Sequence, residues 1–264
     1  MCGIAGYSLS SDSRVPRTLS AQALLAAIAE RGADAVGYAY RLEGDGAVHG
    51  EKRRTGASAL LDDVAIPDDA TQALVHVRDY TKGHPSIAAN NHPIRHGSVV
   101  GIHNGIILND EHVLTRHGVE RHRPEMTVDS EAIFALAEET PASAAALEEL
   151  CGSMATAWLD ERRPDVVFLA RGVGRPLWVG YGKHEAFFAS TRRALEIVEQ
   201  YTRVGLRKHE VEEGRLIALR SGREAWSDRF KPNRDFVERD LPAVRAPAEG
   251  ASCLRRLAAL ATLA

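Results

Sequence analysis

The second residue of the chain is a cysteine, in the opening sequence MCGIAG. Because the side chain of Cys2 is small, Met1 can be removed after synthesis, and Cys2 would then carry both a thiol and a free α-amine. The ordinary pKa of an α-amine is about 8 and that of a thiol about 8.5, so the amine can accept the thiol proton near neutral pH. This arrangement predicts an N-terminal nucleophile at Cys2. The alternative is that Cys2 is an ordinary small residue of the core.

The pattern of apolar residues predicts strands and helices in separate runs. Residues 2–9 have the composition of a buried strand, so the thiol would lie at the end of a rigid element. A strand over residues 98–103 would deliver Asn104 and Gly105 at its end. The second half contains several short strands separated by glycine and proline turns. This segregation predicts two packed sheets with helices outside them.

Apolar residues at helical spacing predict four helices before residue 200, three of which follow a polar residue that can cap the helix. The predicted helices are residues 21–28 after Ser20, residues 131–138 after Asp129 and Ser130, residues 143–150, and a helix through Leu195 and Val198 after Ser190.

Composition excludes several classes of function. The chain has 36 acidic and 33 basic residues, so it lacks the electrostatic signature of a protein that binds nucleic acid or an anionic membrane. Cys2, Cys151 and Cys253 form no CxxC pair, which argues against a disulfide framework or a structural zinc site and favours a reducing compartment. No apolar run reaches the roughly 18 to 20 residues that span a bilayer. We therefore expect a cytoplasmic protein that acts on a small molecule.

The length of 264 residues predicts one main domain with an appendage. From about Trp226 the chain becomes rich in proline and charge, and an apolar segment follows over residues 254–263. We therefore predict a main domain over residues 2–225 and a C-terminal extension over residues 226–264 that contains one helix. The extension either packs on the main domain or docks on a partner. Its candidate docking residues are Phe230, Phe236, Leu241 and the terminal leucines.

Four further motifs follow the opening sequence: RGADAVG at 31–37, VRDYTKG at 77–83 with NHP at 91–93, GIHNGII at 101–107, and VDSEAI at 128–133. Together they resemble the glutaminase domain of class II glutamine amidotransferases, as found in glucosamine-6-phosphate synthase and amidophosphoribosyltransferase. Each motif is weak alone, but their order and spacing agree with the family. The resemblance covers residues 2 to about 222. It implies an α+β fold, a four-layer αββα sandwich of the N-terminal-nucleophile (Ntn) hydrolase type.

The resemblance also implies a reaction, the hydrolysis of the side-chain amide of L-glutamine. Cys2 would attack the amide and form a γ-glutamyl thioester, and Asn104 and Gly105 would donate hydrogen bonds to the oxyanion. Arg78 would bind the α-carboxylate of glutamine, and Asp129 would bind its α-ammonium group. The family chemistry needs no metal and no cofactor. Four histidines that lie close in sequence have spacings that match no helix-borne metal site: His84, His92, His96 and His103.

The loop after Arg78 differs from the family pattern at two positions. Thr81 matches a family threonine that contacts the substrate, or its hydroxyl simply closes the loop. Asp79 and Lys82 stand where the family has tryptophan and histidine, which puts the closing of the loop and its contact with a synthase in doubt. Arg31 and Asp34 are expected to have structural roles in a turn near the N-terminal strand.

About forty residues follow residue 222, too few for a domain that consumes ammonia. We therefore expect a separate synthase to accept the ammonia. A stand-alone amide hydrolase is one alternative. Another is an Ntn acylase of larger amides, which would not need both Arg78 and Asp129, and a third is a catalytically silent regulatory subunit.

Overall fold

The structure, a computed structural model, describes residues 1–237 and 246–262. The strands are β1 (Gly3–Leu9), β2 (Ala35–Leu42), β3 (His49–Arg53), β4 (Ala70–Arg78), β5 (Ile94–His96), β6 (Val99–Ile107), β7 (Gly152–Asp160), β8 (Val166–Arg171), β9 (Trp178–Tyr181), β10 (Glu185–Ala189), β11 (Arg207–Glu210), β12 (Arg215–Arg220) and β13 (Arg223–Arg229). The α-helices are α1 (Arg17–Ile28), α2 (Asp110–Arg116), α3 (Glu131–Glu139), α4 (Arg192–Thr202) and α5 (Pro247–Leu260).

The strands form two antiparallel sheets. The seven-stranded sheet has the order β11-β9-β10-β1-β4-β2-β3, and the six-stranded sheet has the order β13-β12-β8-β7-β6-β5. Strand β1 lies in the middle of its sheet, between β10 and β4. The nucleophile predicted at Cys2 therefore precedes a strand that is hydrogen-bonded on both sides.

Three apolar clusters separate four layers. Residues between the two sheets, such as Ile4 of β1 and Ile102 of β6, form the central cluster. Helices α1 and α4 cover the outer face of the seven-stranded sheet, and α5 packs on α1. Helix α3 covers the six-stranded sheet, and α2 packs on α3. The predicted αββα sandwich is confirmed, because each sheet presents one face to the other sheet and one to helices.

Close contact explains a glycine in the central strand. Ile4 faces the central cluster and Tyr7 faces the helices, as the two-residue period of a strand requires. A Cβ atom on Gly6 would lie 2.2 Å from the carbonyl oxygen of Ala73 on the adjacent strand β4. Gly3 pairs with Val77, so the ends of β1 and β4 bring Cys2 and Arg78 together.

The position of Asn104 and Gly105 differs from the prediction. These residues lie inside β6 and pair with Ala155 and Met154 of β7, rather than following the strand. Gly105 has φ +147°, and a Cβ atom there would lie 1.9 Å from the carbonyl oxygen of Ser153. The glycine therefore lets the strand continue where a side chain would collide with β7.

Three predicted helix caps were wrong, because the predicted capping side chains form hydrogen bonds with other groups. Ser20 lies inside α1, which begins three residues earlier, and its hydroxyl donates to the Pro16 carbonyl. Ser130 makes no cap hydrogen bond, since its hydroxyl contacts Nδ1 of His103. The cap of α4 is Thr191, whose hydroxyl accepts from the backbone N–H of Ala194.

Two helical segments also differ from the prediction. The helix predicted over residues 143–150 is a single 3₁₀ segment, Ala145–Glu149. Helix α2 was not predicted, because seven largely polar residues give too short a pattern.

The C-terminal extension is connected to the main domain. Strand β13 runs across the predicted boundary at residue 225 and pairs with β12, and Phe230 is buried. Leu241 and Leu263 lie outside the described residues. The division at residue 225 remains a prediction.

Helix α5, which lies in the described part of the extension, packs on α1. Helix α1 is apolar on nearly all sides, and ten of its twelve residues are buried. Cys253 and Leu257 of α5 are completely buried in the same cluster. In the described part of the chain, no helix combines the length and the apolar character that crossing a membrane requires.

The packing of α5 predicts unequal effects of two leucine substitutions on the same helix. Leu257 is 0% exposed and Leu254 is 38% exposed. We expect Leu257→Ala to lower the free energy of unfolding by about 3 kcal/mol, because it leaves a cavity against α1. The control Leu254→Ala should change it by less than about 0.5 kcal/mol. Chemical denaturation measures both, and equal effects would show that α5 does not pack as described.

Candidate active site

Cys2 lies at the start of β1, where three neighbours constrain it. Its Sγ donates a hydrogen bond to the Asp79 carbonyl oxygen at 3.4 Å, and its own carbonyl accepts from Nε of Arg31 at 2.9 Å. Burial raises the pKa of the Cys2 thiol, and the positive charge of Arg78 opposes this shift in part. The thiol is therefore held in place beside a cation.

A turn after α1 fixes the backbone next to Cys2. A Cβ atom on Gly32 would lie 2.4 Å from the Arg78 carbonyl, so the turn packs directly on the end of β4. The Asp34 carboxylate accepts from the backbone N–H of Tyr80 at 2.9 Å. Together with the contact of Arg31 to Cys2, this supports the structural roles predicted for Arg31 and Asp34.

Arg78 is 2% exposed and binds the loop that follows it. Its Nη1 donates to Oδ1 of Asn91 at 2.6 Å, and its Nη2 donates to the carbonyls of Lys82, at 2.8 Å, and Gly83. Nε makes no hydrogen bond to the described residues. The guanidinium thus shapes the loop and keeps a donor for a ligand.

Asp129 is a buried carboxylate near this guanidinium. It is 3% exposed, and its Oδ2 accepts from the backbone N–H of Ile107 at 2.7 Å. Burial raises the pKa of Asp129 to about 6; the Ile107 hydrogen bond lowers it, and the charge of Asp110 raises it further. Asp129 and the Cys2 thiol both interact electrostatically with Arg78, so the structure brings these three predicted residues together.

Asn104 offers a buried donor without a partner. It is 1% exposed and shares the face of β6 with Ile102, toward the core between the sheets, where β6 packs on β1. Its Nδ2 atom is buried and has no hydrogen-bond partner among the described residues. A buried amide N–H without an acceptor costs free energy, so this group is one that a ligand oxygen would satisfy.

The two departures from the family motif place charges that find partners. The Asp79 carboxylate accepts from the N-terminal ammonium group of Met1. Lys82 binds both carboxylate oxygens of Asp110, at 2.7 and 2.6 Å, and Asp110 is 1% exposed. Thr81 lies exposed on the loop between them.

Buried histidines connect the two sheets beside the site. Nε2 of His76 on β4 lies 3.1 Å from the carbonyl oxygen of His103 on β6, and the rings of His76 and His92 stack at 4.2 Å. Burial lowers the pKa of His76 and of His103 to about 3, so both rings stay neutral. Within residues 1–237 and 246–262, no three His, Cys, Asp or Glu side chains form a group that could hold a metal ion.

Sequence reasoning missed three residues of this site. Asn91 anchors Arg78, and the NHP motif that contains it gave a signal without a role. Asp110 anchors Lys82, and nothing in the sequence indicated this pairing. Arg175, which follows β8, interacts electrostatically with Cys2 and His103, and none of the motifs in the sequence analysis contains it.

Comparison with known proteins finds similar sequences and similar folds. A family model described as a glutamine amidotransferase domain matches residues 76–197. The glutamine–fructose-6-phosphate aminotransferase (isomerizing) of Shouchella clausii is 30% identical over 220 positions, covering 77% of this chain and 34% of the relative. The chain thus spans about a third of the length of this curated relative.

Solved structures share the fold at lower identity. The glutamine phosphoribosylpyrophosphate amidotransferase from B. subtilis matches with a TM-score of 0.67 and 19% identity, over 88% of this chain and 50% of that chain. A glutamine aminotransferase class-II domain protein from Silicibacter pomeroyi matches with a TM-score of 0.56 and 16% identity, over 88% of this chain and 100% of that chain.

An antiparallel αββα sandwich whose central strand follows a cysteine at position two defines an Ntn-type fold. Within that class, the chain is homologous to the glutaminase domains of class II glutamine amidotransferases, and residues 76–197 match a glutamine amidotransferase domain.

The buried carboxylate of Asp129 predicts a stability cost that depends on pH. An aspartate in the unfolded chain titrates near pH 3.9, and the folded pKa of Asp129 is about 6, so the folded state binds this proton more tightly. The free-energy cost of the ionised Asp129 carboxylate therefore increases from about pH 4 to about pH 6, and it reaches its full value above pH 6. We expect Asp129→Asn to raise the free energy of unfolding at pH 7 by about 3 kcal/mol, with the gain disappearing toward pH 4.

Urea denaturation at pH 4, 5, 6 and 7 measures this difference. The exposed residue Asp68 provides a control, since Asp68→Asn removes the same charge from a solvated position. A stability gain of Asp129→Asn that is equal at pH 4 and pH 7 would contradict the assignment of a buried, ionised carboxylate.

Proposed function

We propose that this domain hydrolyses the side-chain amide of L-glutamine to glutamate and ammonia through a thioester on Cys2. One observation carries the proposal: the Cys2 thiol and a buried carboxylate, Asp129, both interact electrostatically with one buried guanidinium, Arg78. A free α-amino acid carries the complementary pair of charges. An enzyme that acted on larger amides would gain nothing from burying both groups, since each burial costs free energy.

Substrate recognition follows from the two charges. Nε of Arg78 donates to the α-carboxylate of glutamine, and the loop after Arg78 adjusts around the bound carboxylate. Asp129 accepts from the α-ammonium group, which also compensates the buried negative charge. Thr81 lies on the same loop and contacts the substrate when the loop closes over it.

The chemical steps need only groups of this chain and water. After removal of Met1, the α-amine of Cys2 takes the thiol proton, and Sγ attacks the amide carbon. Nδ2 of Asn104 and the backbone N–H of Gly105 donate to the oxyanion that forms. The ammonium group of Cys2 then gives its proton to the leaving nitrogen, and the C–N bond breaks to release ammonia. Water attacks the thioester, releases glutamate and restores the thiol.

We propose further that the ammonia passes to a separate synthase subunit. This proposal is supported by two side chains that follow the strands of the site. Tyr80, in the loop after Arg78, is 43% exposed, and Leu108, which follows β6, is 47% exposed. Apolar side chains exposed next to a reaction site are typical of a surface that another protein covers. The loop that carries Tyr80 also binds the substrate, so partner binding and glutamine hydrolysis share one element.

Glutamine hydrolysis is tested by measuring glutamate release from the purified protein. We expect activity that depends on Cys2, a mature chain that begins at Cys2 by intact mass, and one equivalent of a glutamine-like diazoketone attached to Cys2. Cys151 and Cys253 serve as internal controls and should remain unmodified, because neither lies beside Arg78 and an amine. Release of glutamate by the Cys2→Ala variant would refute the mechanism. Hydrolysis of larger amides with no glutamate from glutamine would instead favour an acylase.

Two substitutions separate transition-state stabilisation from substrate binding. Asn104→Ala should lower kcat by about a hundredfold with little change in KM, because Nδ2 has no partner in the resting structure and engages chiefly the oxyanion. Arg78→Lys should raise KM by about tenfold, the loss of about 1.4 kcal/mol from one charge-assisted contact. Steady-state kinetics measures both, with circular dichroism to confirm folding. The reverse pattern would overturn the assignment of roles.

The partner proposal predicts slow glutaminase activity in the isolated chain. Coupling between the loop and a bound synthase of about 1 to 3 kcal/mol corresponds to a roughly 5- to 150-fold increase in activity. Purification from the native host, followed by assays with and without the co-purifying protein, measures this increase. Full activity in the isolated chain with no protein recovered would support a stand-alone hydrolase. A recovered partner with no glutamate release in either assay would indicate a silent subunit.

A further inference from the structure

The N-terminal ammonium group and the Cys2 thiol are bound by the same residue, Asp79. Its carboxylate accepts from the ammonium of Met1, and its backbone carbonyl accepts from Sγ of Cys2 at 3.4 Å. The side chain of Asp79 is 18% exposed, so the carboxylate lies partly shielded at the chain terminus. The family motif has tryptophan at this position, a side chain that carries no carboxylate.

The backbone on both sides of this contact is fixed. Arg31 binds the Cys2 carbonyl, Asp34 binds the N–H of Tyr80, and Gly32 packs on the peptide between Arg78 and Asp79. Removal of Met1 shifts the free ammonium group by one residue, about 3.8 Å along the chain. Rotation of the Asp79 side chain spans this distance, so its carboxylate can follow the new terminus.

We propose that Asp79 is a positioning residue whose carboxylate receives the α-ammonium group of mature Cys2 and holds it beside the thiol. The inference rests on the proposed function, because it takes Cys2 as the mature N-terminus. It adds a partner for the amine that acts as the base. An amine held in one orientation can accept the proton of the thiol and then donate it to the leaving nitrogen.

The charge of Asp79 also determines the pH at which Cys2 becomes reactive. A carboxylate beside an ammonium group and a thiol favours the protonated form of both, so the pair loses its first proton at a higher pH than beside a neutral side chain. The other charged or titratable groups around Cys2 and Asp79 are Arg31, Asp34, Arg78, Tyr80 and Arg175. Substitution of Asp79 leaves all of these in place.

The test measures thiol reactivity directly, without glutamine. Mature protein, verified by intact mass, is alkylated with iodoacetamide between pH 5 and pH 10, and the rate is followed on the peptide that contains Cys2. We expect Asp79→Asn to move the midpoint of this profile down by about one pH unit. Asp79→Glu, which keeps the charge, should stay near the wild-type midpoint. Asp68→Asn, which removes an exposed charge before the opposite end of β4, should leave it unchanged.

Several outcomes would overturn the inference: an unshifted midpoint in Asp79→Asn, an equal shift in Asp68→Asn, or retention of Met1 in the purified protein. A purely structural role would change the alkylation rate at every pH without moving the midpoint. The proposed function fails separately. A shifted midpoint in a protein that releases no glutamate would support the role of Asp79 and reject glutamine hydrolysis, while glutamate release with an unshifted midpoint would do the opposite.

Discussion

Burial of the Arg78 guanidinium is the constraint on which the active-site end of the molecule depends. Removing such a cation from water costs several kcal/mol unless the surroundings replace the lost hydrogen bonds and charge. The loop after β4 supplies them, because it turns back so that its carbonyls and Asn91 accept from the two Nη atoms. Asp34 and Asp129 add negative charge. These contacts therefore fix the part of the loop that lies against Arg78, while Tyr80 and Thr81 remain exposed.

The loop is also tied to the helices of the other sheet. Lys82 binds Asp110 of α2, and a chain of polar contacts between side chains continues from there through buried carboxylates toward β5. Its members are Lys82, Asp110, Arg121, Glu131 and His96. Asp110 and Glu131 are almost fully buried, and each contacts two of these basic side chains, which compensate for the loss of water around the carboxylates. Lys82 stands where the family motif has histidine, and through this network it connects the two halves of the sandwich.

The sequence predicted what depends on local pattern and missed what depends on distant partners. Alternation and turn residues located most strands, and the motifs identified Cys2, Arg78 and Asp129 as neighbours. The hydroxyl of Ser190 was expected to cap α4, but it binds the backbone of Ile4, 186 residues away. The prediction ended β6 before Gly105, because glycine usually weakens a strand. In the structure, any other residue at this position would collide with the Ser153 carbonyl of the paired strand, which the sequence alone does not show. The same limit hid the pairing of Lys82 with Asp110.

The central position of β1 has a consequence for the order of events during synthesis. One neighbour of β1 is β4, but the other is β10, which consists of Glu185–Ala189. One edge of β1 therefore remains unpaired until most of the polypeptide has left the ribosome. In the folded protein, the ammonium group of Met1 is paired with Asp79. The trimming that would uncover the nucleophile thus finds its best access on the nascent chain, before the sheet closes around β1.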